Sequence, residues 1–371
     1  MNILFLAISA GAGHIKAAES LKSYIEENHP NYKTVLVDTL RYINPVINKL
    51  IIGSYINTLK KTPKIYGKLY EIAESGENLS DVSSSVNRII SCKIRRLIRE
   101  FQPDLVVCTH PFPLQMLTNL KKKALVKCKI VTILTDFIPH SFWLQKEVHA
   151  YIVAHPGMKF DMIKKGINEE IIYPLGIPVS QNFLNNYNKT KIREVLGLED
   201  ITTILIMGGS LGFGELKETF ITLLNSPKNL QLILVAGKNL KLINTLEKYV
   251  SSTSKTVKLY NYTDKIPELM SASDLIISKP GGMTISEALI KGLPLILISP
   301  IPGQEEKNAH FLQNSGVAAR IYPKQNVEEV LYEILDNPLR IKHMKEMAQY
   351  LARPNACKDI VNLFNHLVST P

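Results

Sequence analysis

Short apolar segments alternate with helix-like segments along almost the whole chain, and this alternation limits the fold more than any other feature. The apolar segments are rich in Val, Ile and Leu, which is typical of strands buried on both faces of a parallel sheet. Strands that alternate with helices form βαβ units with right-handed connections. The pattern predicts an α/β protein with doubly wound parallel sheets. The predicted strands are Asn2–Ser9, Thr34–Asp38, Leu105–Thr109, Lys129–Thr135, Ala150–Ala154, Thr203–Met207, Leu230–Ala236, Val257–Tyr260, Leu275–Ser278 and Leu293–Ile298.

The series of strands restarts near residue 180. A polar stretch, residues 181–191, separates the last strand of the first half from the first strand of the second half. A chain of 371 residues is long enough for two domains. We therefore expect Rossmann-like domains at residues 1–180 and 181–353, facing one another across a cleft. Ligands of such sheets bind at the carboxyl ends of the strands.

The net charge of +11 favours a polyanionic partner, which is nucleic acid, an anionic membrane or a phosphorylated ligand. Residues 1–180 carry 23 basic and 15 acidic side chains, whereas residues 181–371 carry 21 and 18. Residues 41–70 contain six basic side chains and no acidic one. An ordinary solvated face explains such a segment equally well. Hydrophobic residues at 45% and charged residues at 21% exclude a disordered chain.

The four cysteines indicate a reduced compartment, because none forms a CxxC pair or lies at metal-ligand spacing from a histidine. No metal-ligand cluster is visible in the sequence, so we expect no cofactor and no catalytic metal. The apolar start lacks the basic region of a signal peptide, so it is interpreted as a first strand. The sequence contains no run of about 18 apolar residues, so no membrane-spanning helix is predicted. The expected location is the cytoplasm, with any membrane contact peripheral.

A turn of small residues, Ser9-Ala-Gly-Ala-Gly-His14, follows the first predicted strand. Such a turn lets the backbone approach a ligand, and the next helix offers free N–H groups. It also occurs for packing alone. His14 lies at the strand end where a ligand would bind, so it is a candidate general base. A histidine that only hydrogen-bonds the loop is the alternative.

Two further glycine turns follow strands in the second half. Residues 208–214 depart from the P-loop pattern but still present backbone N–H groups to a diphosphate. Residues 279–289 contain Thr284-x-x-Glu287, which has the form of a helix capping box. The functional alternative is that the helix start faces phosphate and Glu287 accepts hydrogen bonds from ribose hydroxyls.

Polar residues follow two more predicted strands. The segment Pro300–Ala309 begins a helix with amide and carboxylate side chains that suit sugar recognition, although acidic residues are also common at helix starts. Asp136 ends the strand Lys129–Thr135, and Trp143, the only tryptophan, lies just beyond it. A capping aspartate and a packed aromatic side chain are the structural alternatives.

Residues 46–70 combine apolar residues at helical spacing with lysines. The segment fits either a core-facing helix or an interfacial segment with its lysines at lipid headgroups. The lysines assigned to a membrane surface are Lys49, Lys60, Lys61, Lys64 and Lys68.

Several of these motifs, taken in order, resemble the diacylglycerol glycosyltransferases. They are Gly13-His14, Thr135-Asp136-Phe137 with His140 and Trp143, Lys279-Pro-Gly-Gly-x-Thr284-x-x-Glu287, and Pro302-Gly-Gln-Glu305. The family includes bacterial processive diacylglycerol glucosyltransferases and plant monogalactosyldiacylglycerol synthases of glycosyltransferase family 28. The resemblance covers nearly the whole chain. The first turn, Ser-Ala-Gly-Ala-Gly-His, departs from the run of glycines in the plant enzymes.

The resemblance implies a GT-B fold, in which a C-terminal helix at about residues 354–371 returns to the first domain. It implies that the second domain binds a UDP-sugar and the first binds diacylglycerol. The implied acceptor residues are Gly13, His140 and Trp143. The implied UDP-sugar residues are Gly209, Ser210, Tyr262, Thr263, Gly281, Gly282, Thr284, Glu287, Gly303, Gln304, Glu305 and Asn308.

The predicted reaction is an inverting transfer of a hexose, glucose or galactose, to the 3-hydroxyl of 1,2-diacylglycerol. His14 and Asp136 are the candidate bases, and His14 ranks first because the pKa of a histidine lies nearer neutrality. The rival activity is that of a UDP-N-acetylglucosamine 2-epimerase, which needs no lipid. A non-catalytic nucleotide-sugar sensor is a third possibility. No nucleic acid is expected, because no reading motif accompanies the basic residues.

Overall fold

The computed structural model describes two compact units. It covers residues 1–9, 12–43, 84–209, 212 and 215–369. The first unit runs from Met1 to Ser180 and includes Ile301–Gln304 and the C-terminal segment from Arg353. The second unit consists of Gln181–Pro300 and Glu305–Ala352. The five lysines assigned to a membrane surface, and Ser210, lie outside the described residues.

The first unit contains a six-stranded parallel sheet in the order β2-β1-β3-β4-β5-β6. The strand order changes direction between β1 and β3, because the chain moves one way to β2 and the other way from β3 onwards. The strands are β1 (Asn2–Ala7), β2 (Lys33–Asp38), β3 (Leu105–Cys108), β4 (Lys129–Ile133), β5 (Ala150–Ile152) and β6 (Ile172–Tyr173). The helices are α1 (Gly13–Asn28), α2 (Thr39–Ile43), α3 (Ser84–Phe101), α4 (Pro111–Lys122) and α5 (Gly157–Lys164).

The second unit repeats this plan with a parallel sheet in the order β12-β11-β10-β7-β8-β9. Here the direction changes between β7 and β10. The strands are β7 (Thr202–Met207), β8 (Leu230–Val235), β9 (Val257–Tyr260), β10 (Leu275–Ser278), β11 (Leu295–Leu297) and β12 (Ala318–Arg320). The helices are α6 (Lys189–Leu196), α7 (Leu216–Leu224), α8 (Leu240–Val250), α9 (Ile266–Ala272), α10 (Gly282–Ile290), α11 (Gln304–Asn314), α12 (Val327–Leu335) and α13 (Pro338–Leu351).

The last helix, α14 (Ala356–Ser369), belongs to the first unit. Its apolar face enters the same core as β1 and α1, through Cys357, Ile360, Val361 and Phe364. Full burial of an aliphatic or aromatic side chain contributes about 1.5–3 kcal/mol, so this face fixes the helix to that core. None of the described helices is long and apolar enough to cross a membrane.

All ten predicted strands are present, with ends that shift by at most two residues. The sequence missed β6 and β12, which are the last strands at one edge of each sheet. β6 is Ile172-Tyr173 and β12 is Ala318-Ala319-Arg320, so neither is part of a long run of Val, Ile and Leu that the pattern could reveal. The predicted class, an α/β protein with two parallel sheets, is confirmed.

A buried arginine ties the amino-terminal end of the second sheet together. The Arg193 side chain donates from Nη1 to Asp200 Oδ1 (2.7 Å) and from Nη2 to Asp274 Oδ2 (2.8 Å). It also donates to Thr203 Oγ1 at 2.9 Å and to the Ala272 carbonyl oxygen at 3.0 Å. The residue is only 6% exposed, so each N–H group needs these partners.

Candidate functional site

The carboxyl ends of β1 and β3 form the point in the first sheet where ligands are expected. Adjacent strands that continue in opposite directions leave an opening between their loops, and ligands of α/β sheets bind there. His14 lies in the first turn of α1, just after β1. His110 follows β3, the neighbour of β1 in the sheet. Both residues remain partly exposed.

The hydrogen bonds of His14 determine which ring nitrogen carries the proton. His14 Nδ1 lies 2.7 Å from the Thr109 carbonyl oxygen and 2.8 Å from Thr135 Oγ1. A carbonyl oxygen can only accept a hydrogen bond, so Nδ1 is protonated. Nε2 therefore carries the lone pair, which is what a general base at this position needs.

His110 is a neighbour of His14 that the sequence did not reveal as a site residue. Its ring centre lies 4.6 Å from that of His14, with the planes at 73°. His110 is also the N-cap of α4, and its Nδ1 accepts the Phe112 backbone N–H at 3.1 Å. The one available signal was Thr109-His110-Pro111 directly after a buried strand. That signal gains meaning only once β3 is known to lie beside β1.

The environment of both imidazoles favours their neutral forms. Burial lowers the pKa of His14 from 6.5 to about 4, although the hydrogen bond to Thr109 acts in the opposite direction. Burial, followed by the charges of His14 and His140, holds the pKa of His110 well below its ordinary value. The expectation that a pKa near neutrality favours His14 over Asp136 is therefore wrong. Both rings are neutral at pH 7.

Three predicted site residues are joined by hydrogen bonds in the first unit. Gln304 Nε2 donates to Asp136 Oδ2 at 3.2 Å and lies 2.8 Å from His140 Nε2, which accepts. Asp136 is 9% exposed and His140 only 1%. The amide nitrogen of Gln304 thus contacts the candidate base Asp136, a contact that the sequence did not predict. Contact of Gln304 with the sugar stays a prediction.

Trp143 supports the histidine cluster from inside the first unit. It is fully buried, and its ring centre lies 6.4 Å from that of His14 and 5.9 Å from that of His140. Trp143 packs against the rings of both His14 and His140. In this structure Trp143 and His140 are buried and offer no exposed surface to an acceptor. Their contact with an acceptor stays a prediction. Gly13 is the first residue of α1 and places His14 in its first turn.

The second unit presents its glycine turns where the strand direction changes, after β7 and β10. Gly212 has φ of +61°, and a Cβ atom there would lie 2.2 Å from the Ala236 carbonyl oxygen. Glycine is therefore required for the fold at this position. Gly209 has φ of +66°, and a Cβ atom there would meet none of the described residues within 4 Å.

The α10 helix begins at Gly282, with Gly281 as its N-cap. The Ile285 N–H already bonds to the Gly281 carbonyl oxygen, so Thr284 lies inside the first turn. The predicted capping box is wrong for this reason: the N-cap is Gly281, and no side chain caps the helix. Thr284 and Glu287 are three residues apart and share one helix face. Both are partly exposed.

The turn before α10 is held by a buried amide. Asn308 is fully buried, and its Nδ2 donates to the Pro280 carbonyl oxygen at 3.0 Å. In this structure Asn308 supports the glycine turn, while its predicted contact with sugar or diphosphate is untested. Glu305 is half-buried in the first turn of α11. Gly303 has φ of +98° in the turn that precedes this helix.

The predicted uracil contacts follow β9, the edge strand of the second sheet. Tyr262 is 49% exposed, and Thr263 Oγ1 accepts the Lys265 backbone N–H at 3.2 Å. β9 lies two strands from β7, a separation of about 10 Å. Both residues thus follow the carboxyl end of a strand, on the same side of the sheet as the glycine turns. Contact with uracil stays a prediction.

Replacing Gly281 with alanine is expected to weaken UDP binding while the protein stays folded. Gly281 has φ of −76°, which any residue adopts, and a Cβ atom would meet nothing within 4 Å. The weaker N-cap costs at most about 1 kcal/mol. A methyl group in the path of a diphosphate costs about 1–3 kcal/mol, or roughly 5- to 150-fold in Kd. Calorimetric titration with UDP and thermal unfolding measure the two effects.

The matched control is Gly212→Ala, for which the loss of stability should dominate. There the methyl group would meet the Ala236 carbonyl oxygen at 2.2 Å in a left-handed backbone. An unchanged UDP affinity in Gly281→Ala would contradict a diphosphate at this turn.

Two family models match consecutive parts of the chain. Residues 14–179 match the model of monogalactosyldiacylglycerol synthase, and residues 203–361 match the C-terminal domain of glycosyltransferase family 28. The first match begins at His14 and includes Asp136, and the second includes both glycine turns. The processive diacylglycerol β-glucosyltransferase of Bacillus cytotoxicus is 29% identical over 364 residues, which is 98% of this chain and 92% of that protein.

Solved structures share the fold at lower identity. MurG of Acinetobacter baumannii matches with a TM-score of 0.65 and 16% identity, over 98% of this chain and 99% of its own. UDP-GlcNAc 2-epimerase from Neisseria meningitidis, bound to UDP-GlcNAc, matches with a TM-score of 0.66 and 15% identity, over 99% and 100%. These likenesses confirm the predicted GT-B type of fold. The family models and the full-length relative confirm the predicted resemblance to the diacylglycerol glycosyltransferases of family 28, over both units of the chain.

Proposed function

We propose that the protein transfers a hexose from a UDP-sugar to the 3-hydroxyl of 1,2-diacylglycerol with inversion, forming a β-glycosyl lipid. The observation that carries this proposal is the likeness to processive diacylglycerol β-glucosyltransferases, which spans 98% of the chain and so includes both units. Glucose is the favoured donor sugar, because those relatives are named glucosyltransferases. Their processive action supports the addition of further sugars to the first product.

His14 is the proposed base. The acceptor hydroxyl gives its proton to His14 Nε2 while its oxygen forms a bond to the anomeric carbon. The bond from that carbon to the UDP oxygen breaks, and UDP departs with the electron pair. The Thr109 carbonyl oxygen, 2.7 Å from Nδ1, stabilises the imidazolium that forms. Asp136 is the weaker candidate, because it is 9% exposed and already accepts a hydrogen bond from Gln304.

The second unit is proposed to hold the donor and stabilise the leaving diphosphate. The support is that Gly209 and Gly281 follow the two strands where the sheet changes direction, and that a Cβ atom at either would meet none of the described residues within 4 Å. The start of α10 adds free N–H groups and a positive dipole end. Glu287, one turn further along α10, is the proposed partner of the ribose hydroxyls. We infer that this arrangement needs neither a cofactor nor a metal ion.

The first unit is also proposed to contact an anionic membrane surface from the cytoplasmic side. The support is the excess of basic residues in the first half and the acid-free segment 41–70. Each Lys or Arg near such a surface contributes about 1 kcal/mol. Binding to liposomes that contain anionic lipid should therefore weaken as salt rises. Binding that is indifferent to salt would contradict the electrostatic part of this proposal.

The activity is tested with diacylglycerol liposomes and three donors, UDP-glucose, UDP-galactose and UDP-N-acetylglucosamine. We expect a β-glycosyl lipid, formed with the highest kcat/KM from UDP-glucose, and the same rate with and without EDTA. The absence of a lipid product with every donor would overturn the proposal. Loss of activity in EDTA would overturn only the metal-free part. The epimerase alternative predicts interconversion of UDP-sugars without lipid, and the likeness to an epimerase supports the fold alone.

A further inference from the structure

His110 is the feature of this site that the proposed mechanism leaves unused. Its ring packs edge-on against that of His14, at the point where the first sheet changes direction. The two residues are far apart in the sequence and meet because β1 and β3 are neighbours. Each Nδ1 has a hydrogen-bond partner, and the chemistry of that partner determines which ring nitrogen carries the proton.

The two rings carry their protons on opposite nitrogens. His14 Nδ1 faces a carbonyl oxygen, which only accepts, so its proton is on Nδ1 and Nε2 is an acceptor. His110 Nδ1 faces the Phe112 backbone N–H, which only donates, so Nδ1 carries the lone pair and the proton is on Nε2. One ring therefore offers an acceptor and its neighbour offers a donor.

Neither Nε2 atom has a hydrogen-bond partner among the described residues. Both residues are partly exposed, and neither Nε2 is among the fully buried side-chain atoms that lack a partner. The low pKa values of both rings keep these tautomers neutral at pH 7. A hydroxyl group is both a donor and an acceptor. A hydroxyl group can therefore donate to His14 Nε2 and accept from His110 Nε2–H at the same time.

We propose that His14 and His110 together bind the acceptor hydroxyl, with its O–H donating to His14 Nε2 and its oxygen accepting from His110 Nε2–H. This inference rests on the proposed function. In the reaction the hydroxyl proton passes to His14, the oxygen bonds to the anomeric carbon, and UDP leaves. The His110 proton stays on His110, so the step remains balanced. His110 fixes the direction in which the hydroxyl points, and a second lone pair of the oxygen remains for the attack.

Two variants of His110 share only the loss of the Nε2–H donor. His110→Ser keeps a side-chain oxygen that caps α4 but removes the ring. His110→Phe keeps an aromatic ring beside His14 but removes the cap. We expect both to lower kcat/KM for diacylglycerol about tenfold, the effect of one hydrogen bond. The Kd for UDP should stay within about twofold, because the donor is held by the second unit.

Inhibition by acceptor analogues separates this role from a structural one. A 3-O-methyl analogue of diacylglycerol keeps the oxygen that accepts from His110 but lacks the proton for His14. A 3-deoxy analogue lacks both. We expect the wild-type protein to bind the methyl ether more tightly than the deoxy compound. That preference should disappear in both His110 variants and persist in His14→Ala.

The outcomes separate this inference from the proposed function. An active wild-type enzyme whose His110 variants keep their kcat/KM, or keep the preference for the methyl ether, would overturn the role of His110 alone. An effect of the phenylalanine variant without one of the serine variant would assign His110 to helix capping. A wild-type protein that forms no glycolipid would overturn the proposed function and this inference with it.

Discussion

Replacing His14 with alanine is expected to lower kcat for glycolipid formation by about 10²- to 10⁴-fold, the usual contribution of a general base. The change removes the Nε2 lone pair, and the Thr109 carbonyl oxygen and Thr135 Oγ1 each lose their hydrogen bond to Nδ1. UDP affinity should be unchanged, because the proposed contacts with diphosphate and ribose, at Gly209, Gly281 and Glu287, lie in the second unit. Single-turnover kinetics and titration with UDP measure the two quantities.

His29→Ala is the matched control, because it removes a histidine from the other end of the same helix. It should keep the wild-type kcat. Near-normal turnover in His14→Ala would assign the base role to Asp136 instead.

The pH dependence of kcat gives a second check on His14. The imidazole acts as a base only when neutral, and burial lowers its pKa to about 4. The kcat value should therefore stay level as the pH falls from 8 to about 5, and decline only as the pH approaches 4. A decline centred near 6.5 would show that His14 titrates as an exposed histidine does.

Replacing Arg193 with alanine is expected to cost about 3–5 kcal/mol of unfolding free energy, the usual effect of breaking a buried ion pair. The change removes the guanidinium donor of the Ala272 carbonyl oxygen and leaves Lys189 as the ion-pair partner of Asp274. Asp274 Oδ2 keeps the Thr203 N–H as a donor, and the Thr203 hydroxyl keeps Gln231 and the Ile201 carbonyl oxygen. Denaturant unfolding gives the free energy. The UDP affinity of the remaining folded protein should be unchanged, because Arg193 lies at the amino-terminal end of the second sheet.

Arg340→Ala is the control for an exposed arginine. Its ion pair with Glu333, at 3.3 Å, is largely in solvent. Such pairs contribute about 0–1 kcal/mol, so the loss should be small. An equal loss of unfolding free energy in the two variants would contradict the claim that the buried contacts of Arg193 stabilise the fold more than an exposed ion pair does.

Asp274, the ion-pair partner of the buried Arg193, makes the stability of the fold depend on pH. Burial acts to raise the pKa of Asp274, but hydrogen bonds from Lys189 and the Thr203 N–H, with the charges of Lys189 and Arg193, outweigh it and lower the pKa. An aspartate with a lowered pKa stabilises the fold above its unfolded pKa of about 3.9. That contribution is lost as the pH falls through the folded pKa.

Local patterns were reliable where the physics is local. Runs of Val, Ile and Leu predicted ten strands, because burial on both faces of a parallel sheet leaves a continuous apolar run. The runs at β6 and β12 were too short for this, and only their neighbours in each sheet make them strands. Glycine turns and His14 were recognised because they directly follow strands.

The capping box shows how a local pattern fails. Thr284 and Glu287 have the correct spacing, but Thr284 is not the N-cap. Gly281, with its extended backbone, is the N-cap, so the helix begins at Gly282, two residues before Thr284. The helix start is set by the turn after β10, which the buried amide of Asn308 supports from α11. A four-residue pattern contains no information about that contact.

The sequence by itself determined the class of fold, the strands that carry the site and most of the candidate residues, because hydrophobic period and turn chemistry act over short stretches of chain. Only the tertiary structure decided that β1 lies beside β3, and so that His14 meets His110. It also decided the proton positions and the low pKa of His14, since both depend on a carbonyl oxygen and on burial supplied by distant residues. Strand order and burial are properties of the folded chain, and no short stretch of sequence contains them.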